Sequence, residues 1–488
     1  MILLGLRLCE HDSNFTLYNN GLHYYKPERE YDIKHFAYNN LYSWQSEIKR
    51  VWNISAHEVD EIGIVIDPIK YGLKDTEFFP EQSFNLIDKK VTRVDHHYAH
   101  ALSSWPVIHS WNVYNVCNNH VVIDGFGDND NTWSIFKNNR LVERGNYKKF
   151  GSIGISMSEA ANFLGIKSFN YMDLAGKLMA LQAFGNQDSK YLKFLNKFDM
   201  YTIHEIFNFA HYVDFIGDEY VAHLKKLDWI KTVHDYLGEV ILNFFKIHFK
   251  KNDWISYTGG VALNIIWNSK LKNYFKNLQI PPHCADEGLS IGIVEHLRIK
   301  NKLQKVSFTN YPFVQSDQKP KNSAKEVTIE QVANYLQEGK VVAWYQNYGE
   351  IGPRALGNRS LLINPMINNA KNKINKIKRR ENYRPFGASV LKEHVNFSDP
   401  YMLFANYSYI SSIEHIDQTS RVQTVEENTG LFRKLLEKFY EKTNCPYLLN
   451  TSLNINGRPI IGNVKKLQNY FNNSDIDILV IGDEIWKK

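Results

Sequence analysis

The stretch "HVVIDGFGDNDNTWSIFKNNRLVERG", residues 120–145, decides the fold prediction. It begins as an apolar strand, turns at Asp124 and Gly125, continues as a second strand, and turns again at "NN" into a third. Residues 1–25 follow the same plan: strand 2–8, polar turn 11–14, strand 15–17, a turn at Asn20-Gly21, and strand 22–25. Two such units in one domain predict an internally duplicated fold.

Composition limits the protein class. The 488 residues suffice for two or three domains, and 43% hydrophobic with 23% charged residues is typical of a globular protein. A net charge of +6 is too small to favour nucleic acid as the main partner. The four cysteines form no CxxC pair, which favours a reducing, cytoplasmic setting. Because no apolar run approaches ~18 residues, we expect no membrane partner.

The remaining pattern divides the chain into two domains. "EIGIVID" predicts a strand over 61–67, a helical pattern covers 233–249, and "WISYTGGVALNIIW" predicts a strand, a glycine turn and a helix. Residues 303–325 are polar and contain prolines. "TIEQ" then predicts a capping box, Thr328 with Gln331, that opens a helix ending at Gly339, before a strand "KVVAWY". We therefore predict a first domain over 1–310, a linker over 311–327 and a second domain over 328–488.

The motif "DHHYAHA", residues 95–101, suggests a metal site. His96 and His100 share one face of a helix, whereas His97 points elsewhere. Two histidines need carboxylates to complete a site, and the candidates are Asp124 and Asp286. Both also allow simpler interpretations, a turn residue and the acidic first turn of a helix. A set of two histidines and two carboxylates favours iron, manganese or zinc over magnesium.

Other segments suggest anion binding. The turn "TGGVALN", residues 258–264, either leaves room for a nucleotide or only connects two elements. In the second domain, "GPRALGNRS" supplies Arg354 and Arg359, and a basic run over 371–380 precedes Arg384. Such runs are often solvated surface, but Arg384 comes directly before an apolar strand, and arginine suits bidentate binding of phosphate or carboxylate. "NTSLN", residues 450–454, offers polar groups that either cap a helix or bind a phosphate and a planar amide.

In their order along the chain, these segments resemble the NodU/CmcH family of O-carbamoyltransferases. The resemblance rests on "HDS", "DHHYAHA", "DGFGD", "GKLMALQAFG", "GGVALN", "ADEGLSIG", "GPRALGNRS", "KRRENYRPF", "RVQTV" and "NTSLN". It implies an α/β protein with a duplicated N-terminal domain of the actin-like ATPase (ASKHA) superfamily and a C-terminal YrdC-like domain. It also implies that carbamoyl phosphate and ATP form carbamoyl-adenylate, from which the carbamoyl group passes to a hydroxyl of a small molecule, sugar or nucleotide while AMP leaves.

The resemblance also assigns residues. It implies a divalent metal ion, usually iron, on His96, His100, Asp124 and Asp286. It implies that catalysis involves His11, as the base that takes the acceptor's proton, with Arg354, Lys378 and Arg384. Substrate would contact Asn450, Thr451, Ser452, Asn454 and Arg359, and the nucleotide would contact Gly259, Gly260, Asn264 and Lys177.

Two alternative functions remain open from the sequence. One is a tRNA-modifying enzyme that makes and transfers threonylcarbamoyl, which shares the fold types and the histidine pair. The other is a non-catalytic actin-like ATP-binding module with a basic nucleic-acid-binding domain, suggested by residues 371–380. A homodimer is compatible with the sequence.

Overall fold

The structure is a computed structural model that describes residues 1–66, 81–86, 89–110, 117–203 and 226–488. Its contacts divide the chain into two compact units. The first comprises Met1–Arg7, Thr16–Tyr18 and His57–Ser307, and the second comprises Leu8–Phe15, Asn19–Ala56 and Phe308–Lys488. The division into 1–310, a linker over 311–327 and 328–488 stays a prediction.

The first sheet contains six strands in the order β3-β2-β1-β4-β6-β5. β1 pairs in parallel with β4, β4 pairs in parallel with β6, and β5 is antiparallel to β6. The predicted strand over 61–67 is β4, and residue 67 lies outside the described residues. The strands are β1 Leu3–Arg7, β2 Asn14–Tyr18, β3 Leu22–Tyr25, β4 Glu61–Val65, β5 Glu81–Leu86 and β6 Lys89–Val94.

The second sheet contains five strands in the order β11-β10-β7-β8-β9. They are β7 Asn119–Ile123, β8 Asn131–Lys137, β9 Arg140–Asn146, β10 Ile255–Thr258 and β11 Leu278–Gln279. The two sheets share a strand order. β1 lies between β2 and the parallel strand β4, with β3 beyond β2, and β7 lies between β8 and the parallel strand β10, with β9 beyond β8. The predicted internal duplication and the mixed α/β class are therefore confirmed.

Helices surround these strands. α1 Glu28–Tyr31 and α2 Trp44–Trp52 belong to the second unit. Those of the first unit are α3 His96–Ser103, α4 Trp105–Ser110, α5 Tyr147–Phe150, α6 Ile153–Phe163, α7 Leu174–Leu181, α8 Ser189–Leu195, α9 Lys226–His248, α10 Ile265–Tyr274 and α11 Leu289–Lys300. The helix predicted over 233–249 is the larger part of α9. Among the described helices, none has an apolar stretch sufficient to span a bilayer.

Close packing of α3 against α11 sets the geometry of the first unit's polar cluster. A Cβ atom at Gly292 in α11 would lie 1.8 Å from the carbonyl oxygen of Ala99 in α3, so only glycine permits this approach. Val65, Val94, Ala99, Leu289 and Ile293 form one buried apolar cluster. α11 packs directly on β1 and β4 of the first sheet, and α3 packs against α11 and against the second sheet.

The second unit contains a seven-stranded sheet in the order β15-β14-β16-β13-β12-β17-β18. Its strands are β12 Val342–Tyr345, β13 Arg359–Ile363, β14 Gly387–Leu391, β15 Arg421–Val425, β16 Tyr447–Ser452, β17 Ile478–Ile481 and β18 Glu484–Lys487. Its helices are α12 Glu326–Gln337, α13 Ala370–Lys378, α14 Leu431–Thr443 and α15 Val464–Asn472. Alternating residues of β12 face two apolar clusters, so α12 and α14 cover one face and α13 and α15 the other.

The capping box predicted at Thr328 and Gln331 is wrong. α12 begins at Glu326, and the capping residue Lys325 makes no side-chain cap. Thr328 lies within the first turn of α12, and its side chain is buried on the face of the helix that packs against the core. The predicted end at Gly339 is confirmed, since Gly339 has a φ of 76° and donates its N–H to Leu336.

Candidate metal and anion sites

The start of α3 is fixed by two buried carboxylates. Asp95 caps the helix by accepting from the backbone N–H of Tyr98 at 2.9 Å, and Arg144 pairs with Asp95 at 3.0 Å. Asp128 accepts from the backbone N–H of His96 at 3.1 Å. The first turn that carries the histidines therefore has a defined position.

Four buried side chains converge beside α3. His100 Nε2 lies 3.0 Å from Asp124 Oδ2 and 3.2 Å from Asp286 Oδ1. His96 Nε2 lies 3.3 Å and 3.4 Å from the same two oxygens. Asp124 follows the end of β7, and Asp286 precedes α11. One nitrogen or oxygen from each of the four residues lies within 4.8 Å of the others, so the structure brings together the four residues predicted as a metal site.

Each carboxylate in this cluster uses its two oxygens differently. Asp124 Oδ1 accepts from the backbone N–H groups of Gly125 and Gly260 at 2.8 and 2.9 Å, which leaves Oδ2 facing the histidines. Asp286 Oδ2 pairs with Arg7 at 3.4 Å, and Oδ1 faces the histidines. The surrounding groups thus orient both carboxylates toward one point, as supporting contacts do in metal sites.

The cluster has strong internal electrostatics. Burial opposes a charge on His96, but the charge of Asp286 and hydrogen bonds with Asp124 and Asp286 outweigh it and raise the His96 pKa to about 10. Burial likewise opposes a charge on His100, and hydrogen bonds with Asp124 and Asp286 raise its pKa. Since two carboxylates attract positive charge to this point, a cation of suitable size would compete with these protons.

The donor set fits a transition-metal ion. Two imidazole nitrogens and two carboxylate oxygens are ligands that iron, manganese and zinc accept, and buried carboxylates require a positive partner. Gly125, Gly260 and Arg7 also orient the two carboxylates toward one point, which is the arrangement that a bound cation requires. Four protein ligands leave coordination positions open in a six-coordinate ion.

His97 lies outside this cluster, as the sequence predicted. Its Nδ1 lies 2.8 Å from Ser134 Oγ in β8. Burial and the nearby charge of Arg144 hold the His97 pKa well below its usual value. It therefore contributes to packing between α3 and the second sheet.

The glycine turn after β10 has structural roles. Gly259 has a φ of 95°, and a Cβ there would lie 2.2 Å from the carbonyl oxygen of Ile123. Asn264 caps α10 by accepting from Ile266 and Trp267 at 3.2 Å. Lys177 Nζ donates to the carbonyl of Lys167 at 2.6 Å. Gly260 also contacts the cluster around His96 and His100, because its backbone N–H donates to Asp124. That Gly259, Gly260, Asn264 and Lys177 contact a nucleotide stays a prediction.

In the second unit, Lys378 is the last residue of α13, and its side chain reaches the end of β16. Its Nζ donates to the carbonyl oxygen of Ser452 at 2.6 Å, to Ser452 Oγ at 3.1 Å and to Asn454 Oδ1. Burial and the charges of Arg380 and Arg384 hold the Lys378 pKa well below its usual value. The structure thus brings together Lys378, Ser452 and Asn454, three residues predicted to bind substrate phosphates.

Several arginines concentrate positive charge near this lysine. Burial and the charge of Arg384 lower the Arg380 pKa to about 9. Burial and the charges of Arg354, Arg380 and Arg384 lower the Arg421 pKa. Mutual repulsion of this strength favours binding of an anion that carries several charges. Arg380 and Arg421 were not among the residues predicted for this site. The position of Arg421 at the start of a buried strand was the available signal.

Glu350 organises the loop that carries Arg354. Its Oε1 accepts from the backbone N–H groups of Leu356, Gly357, Asn358 and Arg359 at 2.7–3.2 Å. Glu350 is fully buried. The segment "GPRALGNRS" is therefore folded around a carboxylate of the protein itself.

Three other residues predicted to contact substrate are engaged within the protein. Arg359 is fully buried, pairs with Asp317 at 2.7 Å and lies over the Tyr345 ring at 3.6 Å. Asn450 donates to Ala355 O and Ser389 Oγ at 3.2 and 2.9 Å. Thr451 is buried in β16, opposite Leu361. These contacts stabilise the sheet and the adjoining loop. The Arg359 guanidinium contacts Asp317 and Tyr345, whereas the Arg359 carbonyl oxygen accepts from the backbone N–H of Leu453.

His11 belongs to a polar group in the second unit. Asp12 Oδ2 lies 3.1 Å from His11 Nδ1 and 2.8 Å from His35 Nδ1, and Asp12 Oδ1 accepts from Lys26 at 2.7 Å. Burial opposes the ionised form of Asp12, but Lys26 and the two histidines hold its pKa well below the usual value. A carboxylate in this position fixes the orientation of the His11 ring.

Two family models match this chain over separate ranges. The family model described as carbamoyltransferase N-terminus matches residues 40–294. The family model described as carbamoyltransferase C-terminus matches residues 333–488. The chain belongs to the carbamoyltransferase family. This confirms the resemblance and the predicted enzyme class, and it overturns the alternative of a non-catalytic ATP-binding module.

Individual relatives of this carbamoyltransferase cover different parts of it. Nodulation protein NolNO of Sinorhizobium fredii is 26% identical over 456 residues, which cover 82% of the chain and 64% of that protein. The 3'-hydroxymethylcephem-O-carbamoyltransferase of Amycolatopsis lactamdurans is 32% identical over 250 residues, which cover 47% of this chain and 48% of that protein. A solved structure, component A of the Acidaminococcus fermentans (R)-2-hydroxyglutaryl-CoA dehydratase, is 12% identical with a TM-score of 0.37, covering 61% of this chain and 97% of that one.

Proposed function

We propose that this carbamoyltransferase uses carbamoyl phosphate and ATP to carbamoylate a hydroxyl group. The observation that carries the proposal is the convergence of His96, His100, Asp124 and Asp286, whose ligand atoms lie within 4.8 Å of one another. The relative named as an O-carbamoyltransferase supports a hydroxyl as the acceptor. Within the proposal, residues 1–310 are an actin-like metal-binding domain and residues 328–488 are a YrdC-like domain.

The basic group around Lys378 is suited to the first reaction. Water releases phosphate from carbamoyl phosphate, and an oxygen of the resulting carbamate attacks the α-phosphorus of ATP. The bond from that phosphorus to the β-phosphate oxygen breaks, and pyrophosphate leaves with carbamoyl-adenylate as the product. Lys378 and the arginines Arg354, Arg380, Arg384 and Arg421 would bind the phosphate oxygens and stabilise the charge that develops on them.

The second reaction forms the carbamate ester. The acceptor oxygen attacks the carbamoyl carbon, its proton passes to a base, and the bond from that carbon to AMP breaks. His96, His100, Asp124 and Asp286 would hold the metal ion, which supplies Lewis-acid stabilisation of negative charge when it is bound. His11, oriented by Asp12, is the proposed base.

Iron is the proposed metal, because it accepts both imidazole and carboxylate ligands and is the usual ion in this family. A cytoplasmic location and a homodimer stay predictions, and the acceptor is a small molecule, sugar or nucleotide that bears a hydroxyl.

The identity of the donor separates this proposal from threonylcarbamoyl transfer. Purified protein with ATP should release pyrophosphate only when carbamoyl phosphate is added. Threonine with bicarbonate should give no release. Release with threonine and bicarbonate but not with carbamoyl phosphate would contradict the proposal and support the tRNA-modifying alternative.

A further inference from the structure

A buried arginine contacts one of the candidate metal ligands. Arg7 is the last residue of β1, and its Nη2 lies 3.4 Å from Asp286 Oδ2. The two side chains are 2% and 6% exposed. Because a guanidinium stays protonated in proteins, Arg7 places a permanent positive charge next to the cluster.

The charge balance at the cluster depends on Arg7. Asp124 and Asp286 carry two negative charges, the histidines are neutral when they bind a metal, and Arg7 adds one positive charge. Counted over these five side chains alone, the sum with a divalent ion is plus one, whereas the sum with a trivalent ion is plus two. Since buried charges are weakly screened, the second state is disfavoured.

Other arginines near α3 are balanced differently. Arg144 pairs with Asp95 at 3.0 Å, and Arg93 pairs with Asp128 at 2.8 Å. Neither carboxylate belongs to the four-residue cluster. Arg7 instead contacts Asp286, which is a member of that cluster, so its charge acts on a bound cation through a shared carboxylate.

We propose that Arg7 is a specificity-determining residue that makes the His96, His100, Asp124 and Asp286 site favour divalent over trivalent cations. The proposal rests on the metal site of the proposed function. In the same position, Arg7 also restricts Asp286 to a single ligand oxygen, Oδ1. Together these effects hold the ion in its lower charge state, where it polarises an oxygen without exchanging electrons.

Iron is the suitable probe because the same ligands can bind it as a divalent ion, Fe²⁺, or as a trivalent ion, Fe³⁺. The protein would be loaded with Fe²⁺, and the Fe³⁺/Fe²⁺ reduction potential of the bound iron would be measured by spectroelectrochemical titration. Arg7→Gln retains an N–H donor for Asp286 but removes the charge, so Fe³⁺ should gain affinity at least about tenfold relative to Fe²⁺. That ratio lowers the potential by about 59 mV.

Two further variants separate charge from orientation. Arg7→Lys should restore the wild-type potential, even if its affinity for iron is altered, because orientation of Asp286 affects both charge states. The matched control is Arg298→Gln, which removes a buried arginine paired with Glu295 in the last turn of α11. It should leave the potential unchanged. Arg7→Met, also neutral, replaces Arg7→Gln if the latter does not fold.

The outcomes distinguish the two levels of the proposal. An unchanged potential in an iron-loaded neutral variant would overturn the role of Arg7 and leave the metal site standing. A lowered potential in Arg7→Lys equal to that in Arg7→Gln would also overturn it. If wild-type protein binds neither Fe²⁺ nor Fe³⁺, the metal site itself is contradicted.

Discussion

His100 Nε2 lies 3.0 Å from Asp124 Oδ2, and the other oxygen of that carboxylate accepts from two backbone N–H groups. The pair joins α3 to the end of β7, two elements that the duplicated fold brings to the same place. A helix with histidines four residues apart thereby acquires carboxylates from distant parts of the chain. This arrangement is the structural basis for the proposed metal site.

Removal of Asp124 should abolish stable metal binding. We expect Asp124→Ala to weaken metal affinity by more than about tenfold, because one ligand and one of the two carboxylate partners of the histidines are lost. Metal content after dialysis and a competition titration with a chromophoric chelator measure this effect. Asp130→Ala is the control, because the Asp130 side chain is 54% exposed. Equal metal content in Asp124→Ala and wild type would contradict the assignment.

Lys378 should be needed for the first reaction. Lys378→Met removes the cation that contacts Ser452 and Asn454, and we expect ATP–pyrophosphate exchange with carbamoyl phosphate to fall by about 100-fold. Lys376→Met, at a side chain 78% exposed, should retain exchange. Metal content should be equal in both variants. Wild-type exchange by Lys378→Met would exclude this residue from the anion site.

Arg421 should contribute to anion binding. Because burial and the nearby positive charges lower the Arg421 pKa, bound pyrophosphate should relieve the repulsion and raise the melting temperature of the protein. In Arg421→Met, binding at least about tenfold weaker would reduce this stabilisation by about 1.4 kcal/mol. Arg458→Met, at an exposed arginine, should keep the full shift. An equal shift in both variants, measured by thermal denaturation, would contradict a role in this site.

Glu350 should matter for stability. Glu350→Ala leaves four backbone N–H groups of the loop without their acceptor, so we expect the free energy of unfolding to fall by about 3 kcal/mol. Glu338→Ala, at an exposed site after α12, should change it by less than about 0.5 kcal/mol. Urea denaturation compares the two. A change below 1 kcal/mol in Glu350→Ala would show that the loop finds other acceptors.

Local patterns predicted the strands and the histidine pair. Alternation of apolar and polar residues and the "NN" turns place β1–β3 and β7–β9 correctly, and the spacing of His96 and His100 requires only a helix. Local patterns alone could not select Asp286 as their partner, since it lies 186 residues from His100. The family resemblance supplied that link.

Sequence patterns could not predict several side-chain contacts of the sites. Arg7 and Asp286 are 279 residues apart, and neither is in a motif that names the other. Arg359 lies in the same motif as Arg354, yet it turns inward to Asp317, because strand alternation places its side chain within the sheet's packing. Asn264 caps α10, a role that any helix start could have suggested.

The separation of the two reactions is the central claim, and His100→Ala tests it most directly. Both reactions would be measured in one preparation: ATP–pyrophosphate exchange with carbamoyl phosphate, and transfer of labelled carbamoyl to hydroxyl compounds of a metabolite extract, detected by mass spectrometry. We predict that the variant loses its metal and all transfer while exchange stays within about twofold of wild type. Normal transfer by His100→Ala would contradict the account.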